Sequence, residues 1–207
     1  MFIPGTLLAV LALDASAAAH PPAVRVNLAL DAQLTAPVRA AAIEEADSIW
    51  RPYGVMVTAA DGSAPTLTVI VAAVPDGPPD PSGPFASIRF TGGDPQPIVN
   101  LYLDRLSTVG LSCVRVGGVG ADRWPPAMRN RVVGRMAGRA LAHEIGHWLL
   151  RTKTHSASGL MRAVQPATQM AEAARIHFRL GVEDVARLQL QRALAENRTE
   201  FRSGTNG

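Results

Sequence analysis

The stretch Ala140 to Met161, ALAHEIGHWLLRTKTHSASGLM, constrains this chain more than any other, because it sets His143, Glu144 and His147 into an apolar run. On an α-helix two residues four apart are offset by about 40° and one turn of rise, so the two imidazoles leave the same face side by side. A histidine in an apolar helix is ordinarily a core residue whose ring nitrogens are answered by neighbours. A buried pair flanking a carboxyl is costly without such partners or a metal. Neutral imidazole suits zinc, and three protein ligands leave the fourth tetrahedral position to a water, whose pKa falls to roughly 7. Glu144, beside the first imidazole, is the candidate base for that water's proton.

Two ligands do not make a hydrolytic site. The nearest third candidate is His155, eight residues after His147 and beyond the polar segment Arg151-Thr152-Lys153-Thr154, where a helix can end and the chain fold back. Met161 follows, after Gly159. With these residues the stretch resembles the metzincin clan of zinc metallopeptidases, whose pattern HExxHxxGxxH is followed by a methionine-containing turn beneath the metal. The resemblance assigns His143, His147 and His155 to zinc, Glu144 to the general base and Met161 to the turn. It departs from the family at Leu150 and Lys153, which stand where the family has its glycine and third histidine, so two extra residues separate the ligands. Glu172 is the alternative third ligand. It would make the chain similar to the gluzincins, whose third ligand is a glutamate on a following helix, although a glutamate in an Ala-rich helix is ordinarily solvated.

The metzincin resemblance implies an endopeptidase acting on peptide or protein substrates, with zinc activating water and polarising the scissile carbonyl. Glu144 would take the water's proton and pass one to the leaving amine. It further implies that the strand Ile98 to Leu103 lies at the sheet edge over the cleft and pairs with extended peptide. The oxyanion role stays unassigned, since Tyr53 and Tyr102 are the only tyrosines and neither follows the methionine turn. Two other readings remain open. One is a non-catalytic zinc-bearing binding module, which would have no need of Glu144; the other is a zinc hydrolase acting on a non-peptide amide.

With 207 residues, 47% hydrophobic and 18% charged, the chain suffices for one domain with a real core, expected over 20–196. The net charge of +3 comes without a Lys/Arg run, which excludes an obvious nucleic-acid surface. Arg129, Arg131, Arg135 and Arg139 cluster before the motif and read as a solvated helix face. Residues 1–19 read as a signal peptide, with an apolar core from Leu7 to Leu13 and Ala17-Ala18-Ala19 as cleavage site, although no Lys or Arg precedes the core. Secretion or a periplasmic location is the corresponding expectation. The apolar run is shorter than the roughly 20 residues of a span, so no membrane anchor is expected. Cys113, alone, cannot form an internal disulfide and reads as a small buried residue.

The expected fold class is α+β and, by the resemblance, zincin-like: a mixed twisted sheet of about five strands, a backing helix, a buried active-site helix and a C-terminal helix. Alternation and β-branching place strands at Val24–Leu30, Val55–Thr58, Thr66–Val74, Phe85–Phe90 and Ile98–Leu103, the third apolar throughout and hence central. Thr35 and Pro37 open a helix that runs to about Trp50. Residues 75–84 form a Pro-rich loop, and 107–122 are Gly-rich with no assigned element. Gly117-Gly118-Val119-Gly120 lacks the Lys-Ser/Thr of a phosphate loop. The active-site helix starts at Trp124-Pro125-Pro126, and Gly134, Gly138 and Gly146 within it point to close packing. Ala171–Phe178 and Val182–Ala195 read as helical, and the polar tail 197–207 as disordered.

Overall fold

The computed structural model describes residues 24–73 and 83–204. The expected signal peptide, most of the Pro-rich loop and the last three residues of the tail lie outside the described residues.

The alternating stretches form one mixed sheet. Its strands β1 (Val24–Leu30), β2 (Val55–Ala59), β3 (Leu67–Val71), β4 (Ala86–Thr91) and β5 (Asp94–Leu101) lie in the order β2-β1-β3-β5-β4. Adjacent pairs are parallel except β4 and β5, which are antiparallel. The apolar β3 is central. Alternate residues along the strands, among them Val26, Leu28, Val57, Leu67, Val69, Val99 and Leu101, are buried on one face, as a period of two dictates.

β5 does not lie at the edge, contrary to expectation. It pairs with β3 through Thr68 and Ile98 and with β4 through Ile88 and Val99. The cause is Gly92-Gly93, with φ of 60° and 95°, a two-residue turn whose left-handed backbone matches the sheet's twist and folds β4 along the outer side of β5. β4 is therefore the edge strand. Phe85 accepts the Tyr102 N–H at 2.9 Å, so the backbone groups of Phe85 and Ser87 point toward β5 and those of Ala86 and Ile88 point outward.

Helices α1 (Ala36–Trp50) and α3 (Pro126–Leu150) pack against each other and against the sheet. Their approach is close. A Cβ on Gly138 would stand 2.5 Å from the Ala42 carbonyl oxygen, and one on Gly134 2.5 Å from the Ala41 Cβ. Trp50 Nε1 donates to the Ala142 carbonyl at 3.0 Å and pins the end of α1 to the middle of α3.

A short turn α2 (Leu103–Arg105) leads into the stretch without an assigned element, which holds a π-helical turn at Leu106–Gly110 and a hairpin of β6 (Arg115–Val116) and β7 (Val119–Gly120). Gly117 and Gly118, with φ of 57° and 79°, supply that hairpin's turn. Cys113 is exposed rather than buried, because it lies in the loop between the π-helical turn and the hairpin.

The helix expected over Ala171–Phe178 is replaced by α4 (Ala167–Ala171) and a 3-10 turn at Ile176–Phe178. Here side chains answer the carbonyls that a continuous helix would use: Arg135 Nη1 donates to Ala171 and Arg139 Nη2 to Ala174. The last helix, α5 (Val182–Gly204), runs past Ala195 into the supposed disordered tail, since neither Pro nor Gly interrupts the sequence before Gly204. Among the described residues no helix is long and apolar enough to cross a membrane.

The contact of α1 with α3 yields a prediction. Gly138→Ala should destabilise the protein by about 1–3 kcal/mol through overpacking, although alanine favours an exposed helix by about 1 kcal/mol. The midpoint of urea unfolding reads this directly. An unchanged or raised midpoint would mean that the two helices separate at no cost.

Candidate metal centre

α3 brings His143 and His147 onto one face, and its end returns the chain to them. Arg151 terminates the helix in the left-handed conformation, with φ of 48°, the one non-glycine residue of positive φ among those described. Such a conformation costs an ordinary side chain roughly 1–2 kcal/mol. The Arg151 side chain is held in an ion pair with Asp94, at the start of β5. The longer spacing noted in the sequence follows from this geometry. The helix turns one residue later than a glycine at position 150 would allow, and His155 arrives four residues after the turn.

The three imidazoles converge. Ring nitrogens of His143, His147 and His155 all lie within 4.8 Å of one another. The His155 ring stacks on His143, with centroids 5.2 Å apart, and meets His147 edge-on at 4.9 Å. Ser156 Oγ donates to Asp184 Oδ2 at 2.7 Å, fastening the residue after His155 to the first turn of α5. Glu172 is not part of this cluster; it caps the C-terminus of α4 and is exposed.

Backbone carbonyls fix the tautomers of the first two rings. His143 Nδ1 donates to the Leu160 carbonyl at 2.8 Å, and His147 Nδ1 to the Thr152 carbonyl at 2.6 Å. Each Nε2 is then left with a bare lone pair. The two Nε2 atoms nevertheless stand 3.1 Å apart. Two acceptors at that distance repel unless a cation lies between them, and tetrahedral zinc with bonds of ~2.05 Å holds two nitrogens about 3.3 Å apart. The donor set therefore fits a metal ion of the kind that neutral imidazole binds.

Burial favours the neutral form of His143 and His147. It pushes His143 down to about 4, helped by the charge His147 would carry and opposed by the Leu160 carbonyl. His147 is lowered too, first by burial, against the Thr152 carbonyl and with the charge on His155 contributing. Glu144 moves the other way. Burial raises its carboxyl to about 8, partly offset by the outward N–H of Ile88 on β4.

Met161 is fully buried against α3, its Sδ 2.2 Å from where a Cβ on Gly146 would be. That contact accounts for the third glycine of α3. The turn before it is held by Ser156 N–H on the Met161 carbonyl at 2.8 Å and by Leu160 N–H on the Arg179 carbonyl at 2.8 Å. Above the imidazoles a cleft of about 420 Å³ opens between β4 and the segment after Met161, walled by Phe85, Ile88, Phe90, Leu160, Met170 and Phe178.

Of the four arginines expected on a solvated face, Arg129 and Arg131 are exposed, but Arg139 is not. It is buried against Glu45, 2.7 Å away, and over the Phe178 ring at 4.3 Å, where desolvation lowers its pKa. Tyr53 and Tyr102 serve the scaffold, the first accepting the Leu180 N–H and the second bonding Ser87. The groups that sequence reasoning missed are backbone atoms, the carbonyls of Thr152 and Leu160 and the Ile88 N–H, which no residue type advertises.

The pKa shifts predict how the metal-free protein responds to pH. His143 is neutral in the fold down to about 4 but takes up a proton near 6.5 when unfolded, so its contribution to stability is lost as pH falls across that window. Glu144 stays protonated in the fold up to about 8 and ionises near 4.5 when unfolded, so its contribution is lost as pH rises. Thermal unfolding of the metal-free chain should therefore peak between these limits and fall on both sides. Glu144→Gln should abolish the alkaline fall between about pH 6.5 and 8, and a persistent fall would assign it to another group.

Comparison of the chain with protein-family models, with curated proteins and with solved structures gives no match.

Proposed function

We propose that the protein is a zinc-dependent hydrolase that cleaves peptide bonds, and that its resemblance to the metzincins is functional. The observation that carries this reading is the convergence of His143, His147 and His155, with two bare Nε2 atoms facing each other, beside the buried carboxyl of Glu144 on the wall of an open cleft. When bound, zinc supplies the chemistry of activating water and polarising a carbonyl. Glu144 accepts the water's proton and delivers it to the leaving nitrogen. Its place on the cleft wall beside the imidazoles supports that role, and a cation bound there would lower the pKa of about 8 that burial gives the metal-free carboxyl, freeing it to accept a proton near neutral pH.

The Leu160 and Thr152 carbonyls keep two imidazoles in the tautomer that offers Nε2. The peptide lies along β4, whose Ala86 backbone groups and Ile88 carbonyl face outward while the Ile88 N–H serves Glu144, so that substrate adds a strand and is held mainly by its own backbone. With the leader expected at residues 1–19, the enzyme acts outside the cytoplasm. A purely structural metal site accounts for the imidazoles but leaves the burial of Glu144 beside an open cleft without purpose.

Two outcomes test this. The purified protein is expected to hold about one zinc per chain, with His155→Ala severely lowering metal content and Glu172→Ala leaving it near wild type. Elemental analysis of both variants reads the result, and metal lost from Glu172→Ala alone would put the third ligand on the other residue. Glu144→Gln should keep zinc and fold while reducing hydrolysis of a quenched fluorescent peptide library by at least about 10²-fold. Undiminished turnover would require a different base.

A further inference from the structure

Beside the cleft above the imidazoles lies a second cavity of about 300 Å³, and Arg162 and Gln165 line both. Arg179 and His177 complete the polar wall of the second. The two segments that meet there are fastened together: the Arg179 carbonyl accepts the Leu160 N–H, and a Cβ on Gly159 would stand 2.3 Å from the same oxygen. Arg162 and Arg179 are thus presented from a rigid backbone.

The charge around these cavities is one-sided. Glu144 is the single carboxyl among the described lining residues, against the cationic Arg139, Lys153, Arg162 and Arg179. Arg139 is neutralised by Glu45 and directs its remaining donors at backbone carbonyls. The other three have no carboxylate within ion-pair distance among the described residues. Lys153 instead stands 5.4 Å from the centre of the Phe90 ring.

We propose that the substrate class is an acidic peptide. The part of the substrate that runs from the imidazoles past Arg162 carries a carboxylate, from an Asp or Glu side chain or from the peptide's own C-terminus, and that carboxylate seats in the second cavity against Arg162 and Arg179. A guanidinium fork matches a carboxylate bidentately, and two such forks at one cavity favour this anion over a neutral or cationic group. Both side chains are exposed, so the selectivity is moderate and weakens with salt. This inference rests on the peptide-hydrolase reading above.

The test measures binding rather than turnover. The full-length Glu144→Gln protein, loaded with zinc, is titrated against fluorescein-labelled hexapeptides of one apolar sequence in three forms: an internal Glu with an amidated end, no charged side chain with a free C-terminal carboxylate, and an internal Lys with an amidated end. One or both of the carboxylate peptides should bind about tenfold more tightly than the lysine peptide at low ionic strength, and whichever does so identifies the source of the anion. Salt at about 0.5 M should shrink the difference, because the Debye length is then only about 4 Å. Arg162→Glu with Arg179→Glu should invert the preference, and the single Arg162→Gln and Arg179→Gln changes, in case the double variant does not fold, should each reduce it. Equal binding of all three peptides, or a preference that survives these substitutions, overturns the inference while leaving the hydrolase reading intact. Failure of every peptide to bind overturns both.

Discussion

A helix that carries a guanidinium, two imidazoles and a carboxyl cannot be buried unless each group is answered, and the rest of this structure is arranged around that requirement. α3 is such a helix. Arg139 is met by Glu45 of α1 and by carbonyls of Gln169 and Ala174. His143 is met by Leu160 and His147 by Thr152. Glu144 receives the Ile88 N–H from the edge strand. Each answering group fixes one neighbouring segment: α1, the stretch after α4, the methionine turn, the helix's own return loop, and β4. The cleft is the space over α3 that β4, the return loop and the segment after Met161 enclose.

The same requirement explains why the site's precision comes from backbone. A carbonyl at the end of a helix or in a tight turn has little freedom, so an imidazole donating to it is held in both orientation and tautomer. Leu160 occupies a turn closed by Gly159 and seated on Arg179, and Thr152 follows the left-handed Arg151. Met161 then fills the hollow left by Gly146, packing the turn onto α3. Glu45 answers Arg175 as well as Arg139, and the shared carboxylate ties α1 to the cleft wall from behind. A partner removed from this set leaves a buried charge behind, which is why such networks resist piecemeal substitution.

Much of this was legible in the residues. The spacing of His143 and His147 required a helix and a shared face, His155 joins them in the fold, and the three glycines of α3 mark its closest contacts. Five strands, the backing helix and the central place of β3 followed from alternation and β-branching. Other readings failed for identifiable reasons. The edge position expected of β5 rested on the resemblance alone, since periodicity gives a strand's existence and not its neighbours, and the Gly92-Gly93 turn decides which strand folds outside. Arg139 was read as solvated because a charged residue on a helix is ordinarily exposed, and its partner Glu45 lies 94 residues away. The helix over Ala171–Phe178 was broken by side-chain donors from α3 that local propensity cannot register.

The sequence by itself determined the chemistry on offer: a pair of imidazoles on one helical face, a carboxyl beside them, a third imidazole within reach, and a methionine in the turn that follows. These depend on helical periodicity and residue type, both local and readable in one dimension. The tertiary structure alone decided which nitrogen each imidazole presents, which strand borders the cleft, and how far burial moves His143 and Glu144 from their ordinary pKa values. Those properties depend on which backbone groups and how much water lie within a few ångströms of a side chain. Only the packing of distant segments fixes that.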